Sequence, residues 1–223
     1  MALWNKARRA AEKLIAPGSN VSYAQAGEDL VLDFLADYAP AGFYVDVGCN
    51  HPIRQSNTYR FYRKGWSGIA IDANPAFAQG FARHRPRDRF IRACVSDTEG
   101  QVPFHVFASD SLSSISGKQL YDNADHYRLE RVEQLTTRTL NDILTEAGAP
   151  GRVDILSIDV EGHDEQVIRS LDLHRFEPKI IVVELNAASL NIGRVAEHPV
   201  AAVLADHDFQ PVAVHWGNVF FRR

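Results

Sequence analysis

The stretch Phe43-Tyr44-Val45-Asp46-Val47-Gly48-Cys49-Asn50, followed after one helical pattern by Gly68-Ile69-Ala70-Ile71-Asp72-Ala73-Asn74-Pro75, decides the fold. Each half is a short run of β-favouring residues that ends in a carboxylate and a loop. In an open α/β sheet, ligands sit in the crevice beyond the carboxyl ends of the strands, and an acid ending the second strand takes a ribose diol. Two such ends in register predict a nucleoside-containing cofactor.

The first loop narrows the choice of nucleoside. A dinucleotide pyrophosphate needs a G-x-G-x-x-G turn, with its close backbone approach to a helix N-terminus. Here Gly48 stands alone, and Asp46 just before it repels a pyrophosphate but attracts an ammonium or sulfonium group. The pattern therefore favours S-adenosylmethionine over a nicotinamide dinucleotide. Asp46 and Gly48 are assigned to the methionine end and Asp72 to the ribose hydroxyls, with Asn50 and Ala73 in the two loops and Asp159 at a later strand end as further cofactor-binding positions. The plainer arrangement has Asp46 capping a helix and Gly48 making a turn.

Working outward, 223 residues suit one large α/β domain over residues 21–223, preceded by a helical extension over 1–20. The net charge of −4 offers no clustered basic surface, so DNA is not an expected partner. Cys49 and Cys94 form neither a C-x-x-C pair nor a metal spacing, which suits a reducing, cytoplasmic compartment. Leu3, Ala7, Ala10 and Leu14 fall at helical spacing among Lys6, Arg8, Arg9 and Lys13, without the apolar run of a signal peptide or membrane span. This basic helix either packs or frays as an ordinary extension, or rests peripherally on an anionic membrane surface. A homo-oligomer is compatible with the sequence.

The spacing of apolar residues predicts a helix from near Gln25 to Pro40, a strand Phe43 to Val47, a helix Ser56 to Lys64 stopped by Gly65, and a strand Gly68 to Ile71. Asn74-Pro75 opens a helix to about Arg83, Arg89 to Val95 reads as a third strand, and Val102 to Phe107 alternates as a half-buried strand does. The polar stretch from Ser109 to Tyr127 is long for a compact domain. Then follow a strand Val132 to Thr137, a helix capped by Thr139, buried strands Val153 to Ile158 and Lys179 to Val183, a helix Pro199 to His207, and a hairpin around Trp216-Gly217-Asn218. Strands alternating with helices and closing in a hairpin indicate a mostly parallel sheet with an antiparallel edge.

Taken together, Ser22-Tyr23-Ala24-Gln25-Ala26-Gly27-Glu28-Asp29, Val45-Asp46-Val47-Gly48, Gly65-Trp66-Ser67-Gly68, Asp72-Ala73-Asn74-Pro75 and Ile158-Asp159-Val160-Glu161-Gly162-His163 resemble the FkbM family of S-adenosylmethionine-dependent methyltransferases. The motifs are collinear from Ser22 to Asn186. The resemblance implies a Rossmann-like class I methyltransferase fold, a seven-stranded mostly parallel sheet with an antiparallel last strand, and most often O-methylation of a hydroxyl on a small molecule, sugar or glycan. N-methylation, or a non-catalytic S-adenosylmethionine-binding subunit, are the alternatives. Cys49 stands where the family commonly has alanine, and Asp72 where it usually has glutamate, so the reach to the ribose is the point of departure.

By the same resemblance, Gln25 and Glu28 close over the methionine moiety, against a plainer reading of Gln25 as a cap and Glu28-Asp29 as a solvated face. Ser96-Asp97 fall where class I enzymes contact adenine, or else begin a turn ending at Gly100. Ser56, Asn57 and Thr58 cap the following helix or touch the cofactor. Asp159, Glu161 and His163 gather near one strand end, with Glu184 at the end of the next, as candidates to remove the acceptor proton. The alternative leaves Glu161 and His163 as helix-start residues and Asp159 as structural. Asp159 and Glu184, with Asn186 or His163 beside them, also offer ligands for a magnesium ion. The loop Ser109 to Asn123, with Asp110, Ser111, Ser113, Ser114 and Lys118, is an acceptor lid or a surface loop.

Overall fold

The apolar runs ending in Asp46 and Asp72 form adjacent parallel strands, β1 (Phe43–Val47) and β2 (Ser67–Asp72), with Asp46 opposite Ala70. The computed structural model describes residues 20–107, 129–185 and 192–223. The remaining described strands and α-helices are α1 (Glu28–Leu35), α2 (Tyr59–Lys64), α3 (Ala78–His84), β3 (Arg89–Arg92), β4 (Cys94–Val95), β5 (Gln101–Phe107) and β6 (Leu129–Arg138). They continue with α4 (Leu140–Glu146), β7 (Ile155–Ile158), α5 (Asp164–Arg169), β8 (Ile180–Glu184), α6 (Pro199–Ala205), β9 (Gln210–His215) and β10 (Asn218–Arg222).

Seven strands join in the order β3-β2-β1-β7-β8-β10-β9. β3 through β8 run parallel, and β10 lies antiparallel to both β8 and β9. This is the mixed α/β sheet with an antiparallel closing hairpin that the sequence predicts. The strand order reverses between β1 and β7, so the crevice at their carboxyl ends is a topological switch point, the usual place for a ligand.

Near-continuous burial of the central strands explains their unbroken apolar sequences, since helices cover both faces. On one face Val45, Leu156 and Ile181 pack with Ile143, Val167 and Leu204 from α4, α5 and α6. On the other, Tyr44, Ile155 and Val182 pack with Leu32, Phe61 and Trp66. Asp33 of α1 clasps α2 through Arg60 (2.7 Å) and Lys64.

Three of the boundaries that differ from the sequence reading do so for identifiable reasons. α1 begins at Glu28 rather than near Gln25, because Gly27 before it is left-handed (φ 107°). α2 begins at Tyr59, whose N–H is accepted by Ser56 Oγ (3.1 Å). The run Arg89 to Val95 is divided at Ala93: the chain leaves the main sheet after β3, where β2 ends at Asp72, and Cys94-Val95 pair with Thr137-Arg138 in a second, three-stranded sheet β4-β6-β5. The expected helix over Met1 to Ile15, the loop Ser109 to Asn123 and Asn186 lie outside the described residues. No described helix is long and apolar enough to cross a membrane.

Candidate active site

The carboxyl ends of β1, β7 and β8 frame a cavity of about 160 Å³. From β1 and its loop come Asp46, Gly48, Cys49 and Asn50, and from the approach to α2 come Gln55 and Asn57. β7 and β8 supply Ser157, Asp159, Glu161 and Glu184, and Gln25 closes one side. Of the predicted site residues, this brings together Gln25, Asp46, Gly48, Asn50, Asp159, Glu161 and Glu184.

Gly48 is required by close approach. Its φ is 76°, and a Cβ there would lie 1.7 Å from the Asp159 carbonyl oxygen. Asn50, Gln55 and Glu161, at φ 50°, 53° and 57°, also hold left-handed backbone around the cavity. Non-glycine residues adopt that conformation at a cost and tend to gather at functional sites.

Asp46 is buried at the end of β1. Its Oδ2 accepts a hydrogen bond from Thr58 Oγ1 (2.5 Å), and Ser157 is a second hydroxyl partner. Burial pushes its carboxyl up, while Arg85, Thr58 and Ser157 pull it back. Asp46 does not cap α2; of the three residues considered for that role, Ser56 provides the cap and the Thr58 hydroxyl is diverted to Asp46. Asp72 accepts the N–H groups of Asn50 (2.9 Å) and Asn74 (2.8 Å), which ties the first loop to the second. It does not line the cavity, and neither does Ala73.

Asp159, Glu161 and Glu184 are half-buried and offer carboxylate oxygens within 4.8 Å of one another. Burial first, then repulsion from Glu184 and a hydrogen bond with it, push the Asp159 carboxyl well above the usual range. Two carboxyl groups can share a hydrogen bond only with a proton between them, so the raised Asp159 carboxyl is the donor to Glu184. Asp164, at the start of α5, accepts the N–H groups of Val160 and Gly162 (both 3.1 Å) and shapes the turn that presents Glu161.

His163 stands apart from this trio. Its Nε2 is 3.0 Å from Ser96 Oγ, and Ser96 also donates to Asp97 (3.3 Å), so Ser96, Asp97 and His163 form their own cluster outside the cavity lining. Burial lowers the His163 pKa. The solvated face considered for Glu28-Asp29 is overturned: both are buried. Glu28 accepts from Ala26 N (2.9 Å) and Asn218 Nδ2 (3.4 Å), and Asp29 from Ser22 Oγ (2.6 Å) and Tyr23 N (2.8 Å). These bonds hold the segment carrying Gln25 against the sheet.

Sequence reasoning did not single out Gln55 or Ser157. Ser157 had a legible signal, a lone hydroxyl inside the apolar run Val153 to Ile158; Gln55 had none. A further feature at the same end is Trp216, three-quarters exposed on the β9-β10 turn, where Gly217 O accepts from Leu185 N (2.8 Å) beside Glu184. Trp216 and Gly217 are both left-handed (φ 57° and 103°), as a type I′ turn requires.

The cavity lining fits a cationic ligand bearing hydroxyl or amino groups. It contains four carboxyl groups and four side-chain amides, with no Lys, Arg or His among the described lining residues. A pyrophosphate would meet carboxylates there and no cationic side chain among the described lining residues.

Comparison of the sequence with known families matches the Methyltransferase FkbM domain over residues 46–211. The chain belongs to this FkbM methyltransferase family. The FkbM match runs from the end of β1 to the start of β9 and includes every described cavity residue except Gln25. A comparison with curated proteins gives no match. Among solved structures, a TehB-like SAM-dependent methyltransferase from Corynebacterium glutamicum ATCC 13032 Kitasato is similar at 12% identity and a TM-score of 0.44, over 98% of this chain and 96% of that one. A precorrin-6y C5,15-methyltransferase from Geobacter metallireducens GS-15 is similar at 12% identity and a TM-score of 0.43, over 92% of each chain.

Proposed function

We propose that this FkbM-family protein is an S-adenosylmethionine-dependent O-methyltransferase acting on a hydroxyl of a small molecule, sugar or glycan. The observation that carries this reading is the meeting of two sets of acids in one cavity: Asp46, beside Gly48, and the trio Asp159, Glu161 and Glu184. When bound, S-adenosylmethionine supplies an electrophilic methyl group on a positively charged sulfur. Asp46 and the backbone around Gly48 receive the cationic methionine end. Asp72, bonded to both loops, is the acid available at the ribose side.

The trio serves the acceptor. A hydroxyl must lose its proton as the new bond forms, and Asp159, buried beside Glu184, binds a proton more tightly than an isolated carboxylate does. An amine would be held there as its ammonium ion, without the lone pair that attacks the methyl group. This electrostatic argument favours oxygen over nitrogen. Trp216, beside Glu184, offers an aromatic surface suited to a ring-shaped acceptor.

A second reading has a specific basis in the spacing of the trio. Carboxylate oxygens within 4.8 Å of one another suit a magnesium ion, with Asp159 and Glu184 as ligands; such a cation would acidify and orient the acceptor hydroxyl.

Incubation of the purified protein with methyl-labelled S-adenosylmethionine and a metabolite or glycan extract tests the proposal. Label recovered as a methyl ether supports it, and label recovered only on nitrogen contradicts the choice of oxygen.

A further inference from the structure

The bonds around Asp46 have a direction fixed by chemistry. Arg85 is fully buried at the end of α3 and has only donors to offer. Its Nη2 lies 2.8 Å from Thr58 Oγ1 and 3.0 Å from Tyr44 Oη, so both hydroxyl oxygens accept from it. The Thr58 proton is then free to go only to Asp46 Oδ2 (2.5 Å), as the Tyr44 proton goes to Asp88 (2.7 Å). On the opposite side, Ser157 Oγ accepts from Asn57 Nδ2 (3.2 Å) and turns its proton to Asp46.

We propose that Thr58 and Ser157, locked in orientation by Arg85 and Asn57, are positioning residues for cofactor binding: together they hold Asp46 as an acceptor-only carboxylate facing the cavity. The inference rests on the reading of Asp46 as the carboxylate that receives the cofactor's cationic end.

Sequence and geometry support a role beyond packing. A threonine in the N-cap position normally spends its hydroxyl on the helix, yet Thr58 makes no capping bond and Ser56 takes over that task. A serine inside the otherwise apolar strand β7 is likewise unneeded for packing. Arg85 is held in turn by Asp88 (2.6 Å), Ser56 Oγ (3.2 Å) and the Pro52 carbonyl (3.5 Å), so the relay is anchored on several sides.

The groups that bear on Asp46 are Thr58 before α2, Ser157 on β7, Arg85 and Asp88 after α3, and the Cys49 thiol in its own loop. Asp159, Glu161 and Glu184 share its cavity. Loss of a hydroxyl that bonds the charged form raises a carboxyl's pKa. The affinity for S-adenosylmethionine should therefore fail at higher pH when either hydroxyl is removed.

The experiment is calorimetric titration with S-adenosylmethionine across the acidic to neutral range, on the wild-type chain and on Thr58→Val, Thr58→Ser and Ser157→Ala, with thermal melts alongside. Thr58→Val should weaken binding at neutral pH about tenfold, the scale of one hydrogen bond to a charged group. It should also move the acid-side midpoint of binding upward by about one pH unit. Thr58→Ser should restore both. A merely structural role would lower the melting temperature and leave the midpoint where it is, and that result overturns the proposal. If Thr58→Val does not fold, the same shift or its absence in Ser157→Ala decides. No binding by the wild-type chain at any pH overturns the cofactor reading itself, and the relay's assigned purpose with it.

Discussion

Gly48 and Asp159 meet across the seam between β1 and β7: the Gly48 Cα sits so near the Asp159 carbonyl that a Cβ would stand 1.7 Å from its oxygen. The loop proposed to receive the cofactor is thus pressed against the residue that begins the acidic trio. The two halves of the proposed reaction share one rigid contact.

Gly48→Ala should break that contact. The new methyl group would have to push the Asp159 backbone away from β1 and also adopt φ 76°. The expected loss is about 3 kcal/mol or more of folding stability, or a chain that does not fold, as measured by urea unfolding. Wild-type stability in this variant would contradict the described packing.

Asp159→Asn should leave S-adenosylmethionine affinity near the wild-type value while turnover falls by about 100-fold to 10,000-fold, the range of a lost general base. In the wild-type enzyme the proton on Asp159 must leave before it can act as a base, so activity should rise with pH through a limb above the usual carboxylate range. Glu184→Gln removes the neighbouring charge and should move the remaining limb to lower pH. A limb unchanged in this variant would count against the pairing.

Removal of divalent ions separates the two readings of the trio. With the carboxylates acting as the proton acceptors, enzyme dialysed against EDTA keeps its turnover. Turnover lost on dialysis and restored by magnesium would favour the cation between Asp159 and Glu184.

Asp164 gives a pH dependence of stability independent of any ligand. Burial pushes its carboxyl up to about 6, against the pull of the Val160, Gly162 and Asp164 N–H groups. A raised folded-state pKa means that the group's contribution is full below about pH 4 and is lost as pH rises through about 6. Relative to Asp164→Asn, the wild-type chain should therefore lose stability over that window, by about 3 kcal/mol at most. A constant difference between the two chains from acid to neutral pH would refute this.

Much of this architecture was legible because burial on both faces leaves a plain trace: Val45, Val47, Ile69, Ile71 and Ile158 announce central strands, and the acids that follow announce their ends. The division at Ala93 was not legible, since pairing with Thr137 and Arg138 is a long-range choice that a local β run does not encode. Asp159, Glu161 and Glu184 could be grouped because strand ends align in a parallel sheet. His163 could not be separated from them by spacing alone; it stands just before α5 and turns to Ser96. Arg85 gave no signal at all. In sequence it is one of several basic residues near a helix end, and only the fold makes it the buried partner of Asp88, Tyr44 and Thr58.

Calorimetry of the wild-type chain and Asp46→Ala with S-adenosylmethionine, NAD and NADP measures which cofactor the Asp46 cavity takes. The wild-type chain should bind S-adenosylmethionine and neither dinucleotide, and Asp46→Ala should not bind it. Binding of NAD or NADP in place of S-adenosylmethionine, or undiminished S-adenosylmethionine binding by Asp46→Ala, would contradict this assignment.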